Sequence, residues 1–384
     1  MESRTFTSPS TSVSLSHPRV KKLCKNKDEG SKDEAMDETV WSNLPAAMFV
    51  KIMQFLPPAS LLQQRTLSKW VYQATSSVSF NHLYRKQRNR VNKPWLLLVQ
   101  TYIQETFKII KAYDFCLEKW HRIPMVNLRI EFDVVASAGG LLLCESKPSH
   151  KLYMCNPLTR TWRELPPTQK QRWKTVVGVV HVQEDPNDVG RDAFKVVVAG
   201  GKFRESGFSG EVYDSRTDSW KMIEPIFVNS GIDWEFIQYK GSLYSLIYGG
   251  VIFCNLECGI WSKVQAAKPE GSMKLVECNG RLFMVGVFTI LRIKIWMLDD
   301  SAKNWEEIAT MPRDTFKDFI KLNGFNPYFS CSSTYYTGKG RYICLVGVSS
   351  TLVLKFDIDL KTWTWLPKHS LKGMFLNPRL ELDH

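Results

Sequence analysis

Short apolar runs bounded by turn-forming residues recur along the chain from residue 95 onward. LLLC follows Gly139 and Gly140, SLYSLI follows Gly241, RLFMVG follows Asn279 and Gly280, and RYICLVG follows Lys339 and Gly340. FKVVVAGG instead carries its paired glycines, Gly200 and Gly201, after the apolar run. Runs of this length with glycine at their bounds predict β-strands joined by tight turns. Residues 41–84 have another texture. In MFVKIMQFL only Lys51 and Gln54 are polar, which predicts a helix apolar around most of its circumference. Asn43 can cap it ahead of Leu44-Pro45, Pro57-Pro58 stops it, and Ser60 can begin a second helix. Trp70, Val71 and Ala74 fall on one face of a third.

The polar positions between the strands repeat as well. Trp120, Trp162, Trp220, Trp261, Trp305 and Trp363 each stand six residues after an Asp or Asn: Asp114, Asn156, Asp214, Asn255, Asp299 and Asp357. Each of those is preceded by a residue able to sit in a strand, namely Tyr113, Cys155, Tyr213, Cys254, Leu298 or Phe356. An Asx side chain at a strand end can accept from the backbone two residues on and start a tight turn, so each unit reads as a hairpin whose second strand carries the Trp. The Trp-to-Trp steps of 42, 58, 41, 44 and 58 residues match a four-stranded blade with occasional loop insertions. The expectation is a mainly β chain, a six-bladed β-propeller preceded by a small all-α segment; a β-sandwich or an unclosed set of hairpins is the alternative. Between Pro94 and Pro124 there is room for only three strands. The ring therefore needs a closing strand, for which the tail GMFLNPRLEL is the candidate, although Pro378 counts against it.

Composition adds domain limits and excludes some chemistry. The 384 residues are 44% hydrophobic, enough for a sizeable core. Residues 1–40 hold seven basic and seven acidic side chains with little to bury, and are expected to form a disordered tail. No apolar stretch of eighteen residues occurs, and the N-terminus lacks the apolar region of a secretory signal; a soluble, intracellular protein with no membrane role is expected, in nucleus, cytoplasm or both. Nine scattered cysteines without a C-x-x-C pair point to free buried thiols. Seven dispersed histidines suggest no shared metal, and no P-loop, G-x-S-x-G or H-E-x-x-H occurs, so neither enzyme chemistry nor a cofactor is expected. The net charge is +13, and no Asp or Glu occurs from Thr39 to Gln104, where eight basic residues lie. Such a block seeks an acidic partner. RKQRNRVNK is the best stretch for nucleic acid, but it has no aromatic interleaving, and a protein-facing or solvated basic surface is expected instead. The expected organisation is a tail (1–40), a helical domain (41–86), a basic linker (87–94) and the propeller (95–384).

Leu44-Pro45, Ile52, Leu56-Pro57, Leu61-Leu62 and Lys69-Trp70 resemble the F-box, with Ser68 where many F-boxes have Cys. The chain as a whole resembles the plant F-box/kelch-repeat family. The resemblance implies a non-catalytic substrate receptor of a Skp–cullin–F-box ubiquitin ligase. Leu44, Pro45, Ile52, Leu56, Pro57 and Leu61 would dock on an acidic Skp-type adaptor and, through it, cullin. An F-box/kelch scaffold or transcriptional co-regulator that drives no degradation, and a kelch-type enzyme such as a copper oxidase, are the alternative readings.

In such blades the turn from third to fourth strand emerges on one face of the ring, and the longer connections on the other. Long aromatic and charged connections on a rigid scaffold are where binding tends to reside. They make Arg172, Trp173, Lys174, Phe203, Arg204, Phe208, Trp234 and Arg313 the candidate target-binding residues, a basic and aromatic set suited to an acidic or phosphorylated segment.

Overall fold

The computed structural model describes residues 44–77, 79–80, 83–84, 95–100, 109–123, 132–138, 141–146, 149–156, 161–170, 173–181, 193–201, 207–227, 236–247, 250–264, 271–287, 292–301, 304–323, 334–347, 350–369 and 376–381. The expected tail and basic linker lie outside them. The chain divides into two compact units, Met1–Pro45 and Ala46–His384. Of the first, only Leu44 and Pro45 are described.

The second unit holds six four-stranded antiparallel sheets. Blade two, Phe132–Ala138, Leu141–Ser146, Leu152–Asn156 and Thr161–Glu164, shows the plan: four strands in sequence order from the ring axis outward. Blades three to six repeat it over residues 173–227, 237–263, 272–310 and 334–365. Blade one departs from it, because its own segment supplies only Trp95–Gln100, Ile109–Asp114 and Lys119–Ile123. Its innermost strand is Leu376–Glu381, which pairs antiparallel with Trp95–Gln100. The tail thus supplies the closing strand. Pro378 is tolerated because the register shifts between Leu97 and Val99, a bulge at which a missing N–H costs no ladder bond. The innermost strands touch neighbour to neighbour all the way round.

All six tryptophans occupy one structural position. Each pairs with the residue that precedes the Asx: Tyr113 with Trp120, Cys155 with Trp162, Tyr213 with Trp220, Cys254 with Trp261, Leu298 with Trp305 and Phe356 with Trp363. The carboxylate or amide oxygen of Asp114, Asp214, Asn255, Asp299 and Asp357 accepts from the backbone N–H two residues on, at 2.7 to 3.1 Å. The loop after Asn156 lies outside the described residues.

The packing follows a second rule. The Trp120 indole N–H donates to the Pro367 carbonyl, Trp220 to Pro166 and Trp261 to Glu224, at 2.7, 2.7 and 2.9 Å. In each case the acceptor is four residues past the equivalent Trp of the preceding blade. The residue just before the acceptor, Leu366, Leu165 or Ile223, is buried. Each of these three indoles therefore fills the gap between blades and also pins its neighbour's outer edge, whereas the buried Trp305 N–H has no such acceptor.

Turn geometry explains which residues can stand in the loops. Lys240-Gly241 and Asn279-Gly280 both have φ of +48° to +72°, as the two-residue turn that matches strand twist requires. Two residues before the tryptophans, Glu118, Asp218, Gly259 and Lys361 also have positive φ. Only Gly259 does so without a Cβ penalty. Lys361→Gly is accordingly expected to stabilise the fold by about 0.5–1 kcal/mol, read as a higher urea midpoint.

Where blade six hands over to the closing strand, His369 is buried at 1% exposure and its ring meets Trp120 edge-on at 5.1 Å. Burial, reinforced by the Lys111 charge, pushes its imidazolium down to about 4. An unfolded histidine titrates near 6.5, so as the pH falls the unfolded chain takes up the proton first. The stability held by neutral His369 is intact above pH 6.5 and is lost between there and pH 4. We expect a loss of about 2 kcal/mol between pH 7.5 and pH 5 beyond that of a His369→Phe variant, measured by urea denaturation.

Candidate functional site

The helical segment is built around a small core. Met53, Leu61, Phe80 and Tyr84 are buried together, with Phe49, Val50 and Leu56 packed on them. The first helix, Ala46–Met53, turns Phe49, Val50 and Met53 inward, which leaves Met48 and Ile52, one turn apart, on its other side. The second helix, Pro58–Gln64, starts with Pro58 in its first turn, so Ser60 lies inside it and does not begin it. The third, Lys69–Ser76, is capped by Ser68, whose hydroxyl accepts from the Val71 N–H at 3.1 Å. The Arg65 guanidinium donates to the Thr75 hydroxyl at 3.0 Å and ties the second helix to the third. The Tyr84 hydroxyl donates to the Leu56 carbonyl at 2.9 Å and fastens the segment's end to its first turn.

Of the residues read as adaptor-docking, Pro45 is exposed and Leu44, Ile52, Leu56 and Pro57 are half-buried. Leu61, at 4% exposure, is a core residue that holds the other helices in place. The outward apolar surface consists of Met48, Phe55, Leu67, Trp70, Tyr72 and Leu83, led by Leu67 and Phe55 at 69% and 60% exposure. Of these, sequence reasoning named only Trp70, in the Lys69-Trp70 pair and on the face of the third helix. Helical spacing could have found Met48, because it is the outward neighbour of Ile52. Phe55 stands in the turn after the helix, where periodicity carries no signal.

A family model described as KIB1-4 beta-propeller matches residues 109–338, from the third strand of blade one into the first strand of blade six. The chain belongs to this family. Over most of its length it is also similar to plant F-box proteins. An F-box/kelch-repeat protein of Arabidopsis thaliana is 28% identical over 92% of this chain and 93% of its own. The Arabidopsis protein UNUSUAL FLORAL ORGANS is 24% identical over 89% of this chain and 82% of its own. Arabidopsis F-box only protein 6 is 26% identical over 77% and 65%.

In this member of the KIB1-4 beta-propeller family, the described candidate target-binding residues lie at the starts of strands and of a helix. Arg172, Phe203, Arg204 and Trp234 lie outside the described residues. Trp173 and Lys174 begin the innermost strand of blade three, and Phe208 lies near the start of its third strand. Arg313 is exposed at the start of a helix, Arg313–Asn323, where the sequence reading expected a plain loop between blades five and six. Phe316, Phe319 and Ile320 are the reason. At helical spacing they drive one face of the helix onto the blades, and Phe319 stacks on Trp365 with ring centroids 6.3 Å apart.

The connection Pro166–Lys170 is held by a residue that no motif marks. Glu211 is 0% exposed, and its carboxylate accepts from the consecutive backbone N–H groups of Gln169 and Lys170 at 2.7 and 3.0 Å. The Gln169 side chain donates to the Trp220 carbonyl at 2.8 Å. With the Trp220–Pro166 bond, these contacts fix Pro166–Lys170 against blade three. A buried carboxylate bonded to two backbone donors makes a stiff anchor.

Among the described residues no group of three or more His, Cys, Asp or Glu side chains is arranged to hold a metal ion. Seven described cysteines are free, and Cys144, Cys155, Cys254, Cys278 and Cys344 are buried. Burial pushes the Cys155, Cys254 and Cys344 thiols up to about 12, which keeps them protonated and unreactive.

Proposed function

We propose that this chain is the substrate-receiving subunit of a Skp–cullin–F-box ubiquitin ligase: residues 44–84 grip the adaptor, and the propeller's long connections grip the target. The observation that carries the reading is the crowding of Met48, Phe55, Leu67, Trp70, Tyr72 and Leu83 on the outside of a segment this small. Only Leu117, Ile260, Leu322 and Leu360 are comparably exposed in the described part of the propeller. Single exposed apolar side chains are ordinary, but a concentration of them marks a protein interface. The absence of any acid from Thr39 to Gln104 fits an acidic partner, and the F-box names of the relatives point to the same kind of adaptor. The chain itself would catalyse nothing. It would raise the concentration of a bound target beside the ubiquitin-conjugating enzyme.

The expected result is co-purification of the full chain with a Skp-type adaptor and cullin, reduced at least tenfold by the double change Leu44→Ala and Pro45→Ala, which corresponds to a loss of about 1.4 kcal/mol or more. Both residues lie outside the helical core, so thermal melting should be unchanged. Undiminished adaptor capture by the double variant would remove the reading for this segment.

A further inference from the structure

We propose that the seam between blades one and six, at the end of the ring where the Asx-to-Trp turns emerge, docks a partner protein through a segment that sets apolar side chains among acidic ones. Leu117 and Leu360 are the most exposed large apolar side chains of the described propeller, at 55% and 62%. Each stands three residues after the Asp that opens its turn, Asp114 or Asp357, and each leucine N–H donates to that carboxylate at 3.1 Å. The turn backbone is thus fixed, and the leucine side chain is left outside. The other four blades carry Thr159, Thr217, Cys258 and Ala302 at this position. Small or polar side chains therefore satisfy the turn, and folding does not call for leucine at its tip. A single exposed leucine is ordinary, but leucine at one position in two adjacent blades marks a surface.

The two turns are held side by side. Phe115 of blade one stacks on Tyr342 of blade six with ring centroids 4.6 Å apart, and the Lys355 ammonium lies 4.6 Å from the Tyr342 centroid and 6.0 Å from that of Phe115. Just past the first turn, Trp120 donates to the Pro367 carbonyl, which brings Lys368 to the same seam. The surface around the leucines is basic. Among the described residues, Lys119, Lys361 and Lys368 are exposed there without an ion-pair partner, against one acid in the same state, Glu118. Arg341 is instead taken up by the buried Asp357 at 2.9 Å and by Asp359 at 3.9 Å. An acidic segment would meet the three open cations while its apolar side chains cover Leu117 and Leu360.

The test is selection of displayed random peptides on the immobilised full chain, followed by fluorescence anisotropy of the enriched peptides. Sequences with apolar residues set among Asp and Glu should be enriched. The double change Leu117→Ser and Leu360→Ser should weaken their binding about tenfold or more, and so should Lys119→Glu with Lys361→Glu. Leu322→Ser, on the helix Arg313–Asn323, should bind them like the parent. All of these side chains are exposed, so thermal melting of every variant should match the parent. The inference is overturned if no peptide is enriched, if the enriched peptides lack acids, or if the leucine variant binds them as the parent does. A concentration-dependent dimer in sedimentation that the leucine variant loses would also overturn it, because a second copy would then occupy the surface. Adaptor capture by the leucine variant should equal that of the parent, so failure here leaves the adaptor reading standing, and failure of that reading leaves the peptide selection intact.

Discussion

Trp220→Ala should destabilise the protein by about 4 kcal/mol, the range for removing a large buried aromatic, and should lower the urea midpoint accordingly. Trp220 is 7% exposed, lies with its ring centroid 5.3 Å from that of Tyr213, and donates to Pro166 across the blade boundary. Removing it opens a cavity and frees the edge of blade two at the same point. Trp220→Phe separates the two effects. It restores most of the packing but lacks the donor, so it should cost about 1–2 kcal/mol, the value of a buried hydrogen bond whose acceptor is left unsatisfied. If the alanine variant were as stable as the parent, the indole would not be bracing adjacent blades.

Gly338→Ala is the second large effect, about 3 kcal/mol, and it comes from adding one methyl group rather than removing a ring. Gly338 lies on the innermost strand of blade six. A Cβ there would stand 2.0 Å from the Glu277 carbonyl oxygen and 2.8 Å from Cβ of Cys278, both on the innermost strand of blade five. Those contacts are backbone and near-backbone, so relief requires the two strands to part, and in a closed ring that displacement is passed to the next blade. Gly280→Ala is the contrast. Its Cβ would meet nothing within 4 Å, and its cost arises only from a φ of +68°. Circular dichroism melts of the two variants should therefore differ, with Gly338→Ala clearly the less stable. Equal melting of the two would mean that the innermost strands do not approach as closely as described.

The elements most legible in sequence are those whose chemistry fixes residue type. An Asx turn needs an oxygen at one position and the neighbouring blade needs an indole six residues later, so Asp114 to Trp120 and its five equivalents announce both the blades and their number. The donor of the closing strand was readable because blade one falls one strand short. Backbone chemistry leaves a fainter trace. The acceptors of the indole N–H groups are carbonyls, and the only mark in the sequence is a buried Leu or Ile before a frequent Pro, as at Leu165-Pro166 and Leu366-Pro367. The helix at Arg313–Asn323 escaped because its apolar residues, set among charges, lie in what the blade spacing treats as an insertion. The helical segment shows the limit for sites. Spaced motif residues identify the segment, but they mix a core residue, Leu61, with surface ones, and the exposed Phe55 and Leu67 follow no period. Glu211 was hidden because a lone acid in a strand looks like any solvated one until the connection it anchors is placed beside it.

The measurement that bears most directly on the function is ubiquitin transfer in a purified system. The full chain, bound to a Skp-type adaptor and cullin, is supplied with activating and conjugating enzymes and with proteins captured on its propeller. Modification of a captured protein that requires the adaptor, and that disappears with Leu44→Ala and Pro45→Ala, is the result predicted for a substrate receptor. Captured proteins left unmodified while adaptor and cullin remain bound would contradict it and make the chain a scaffold.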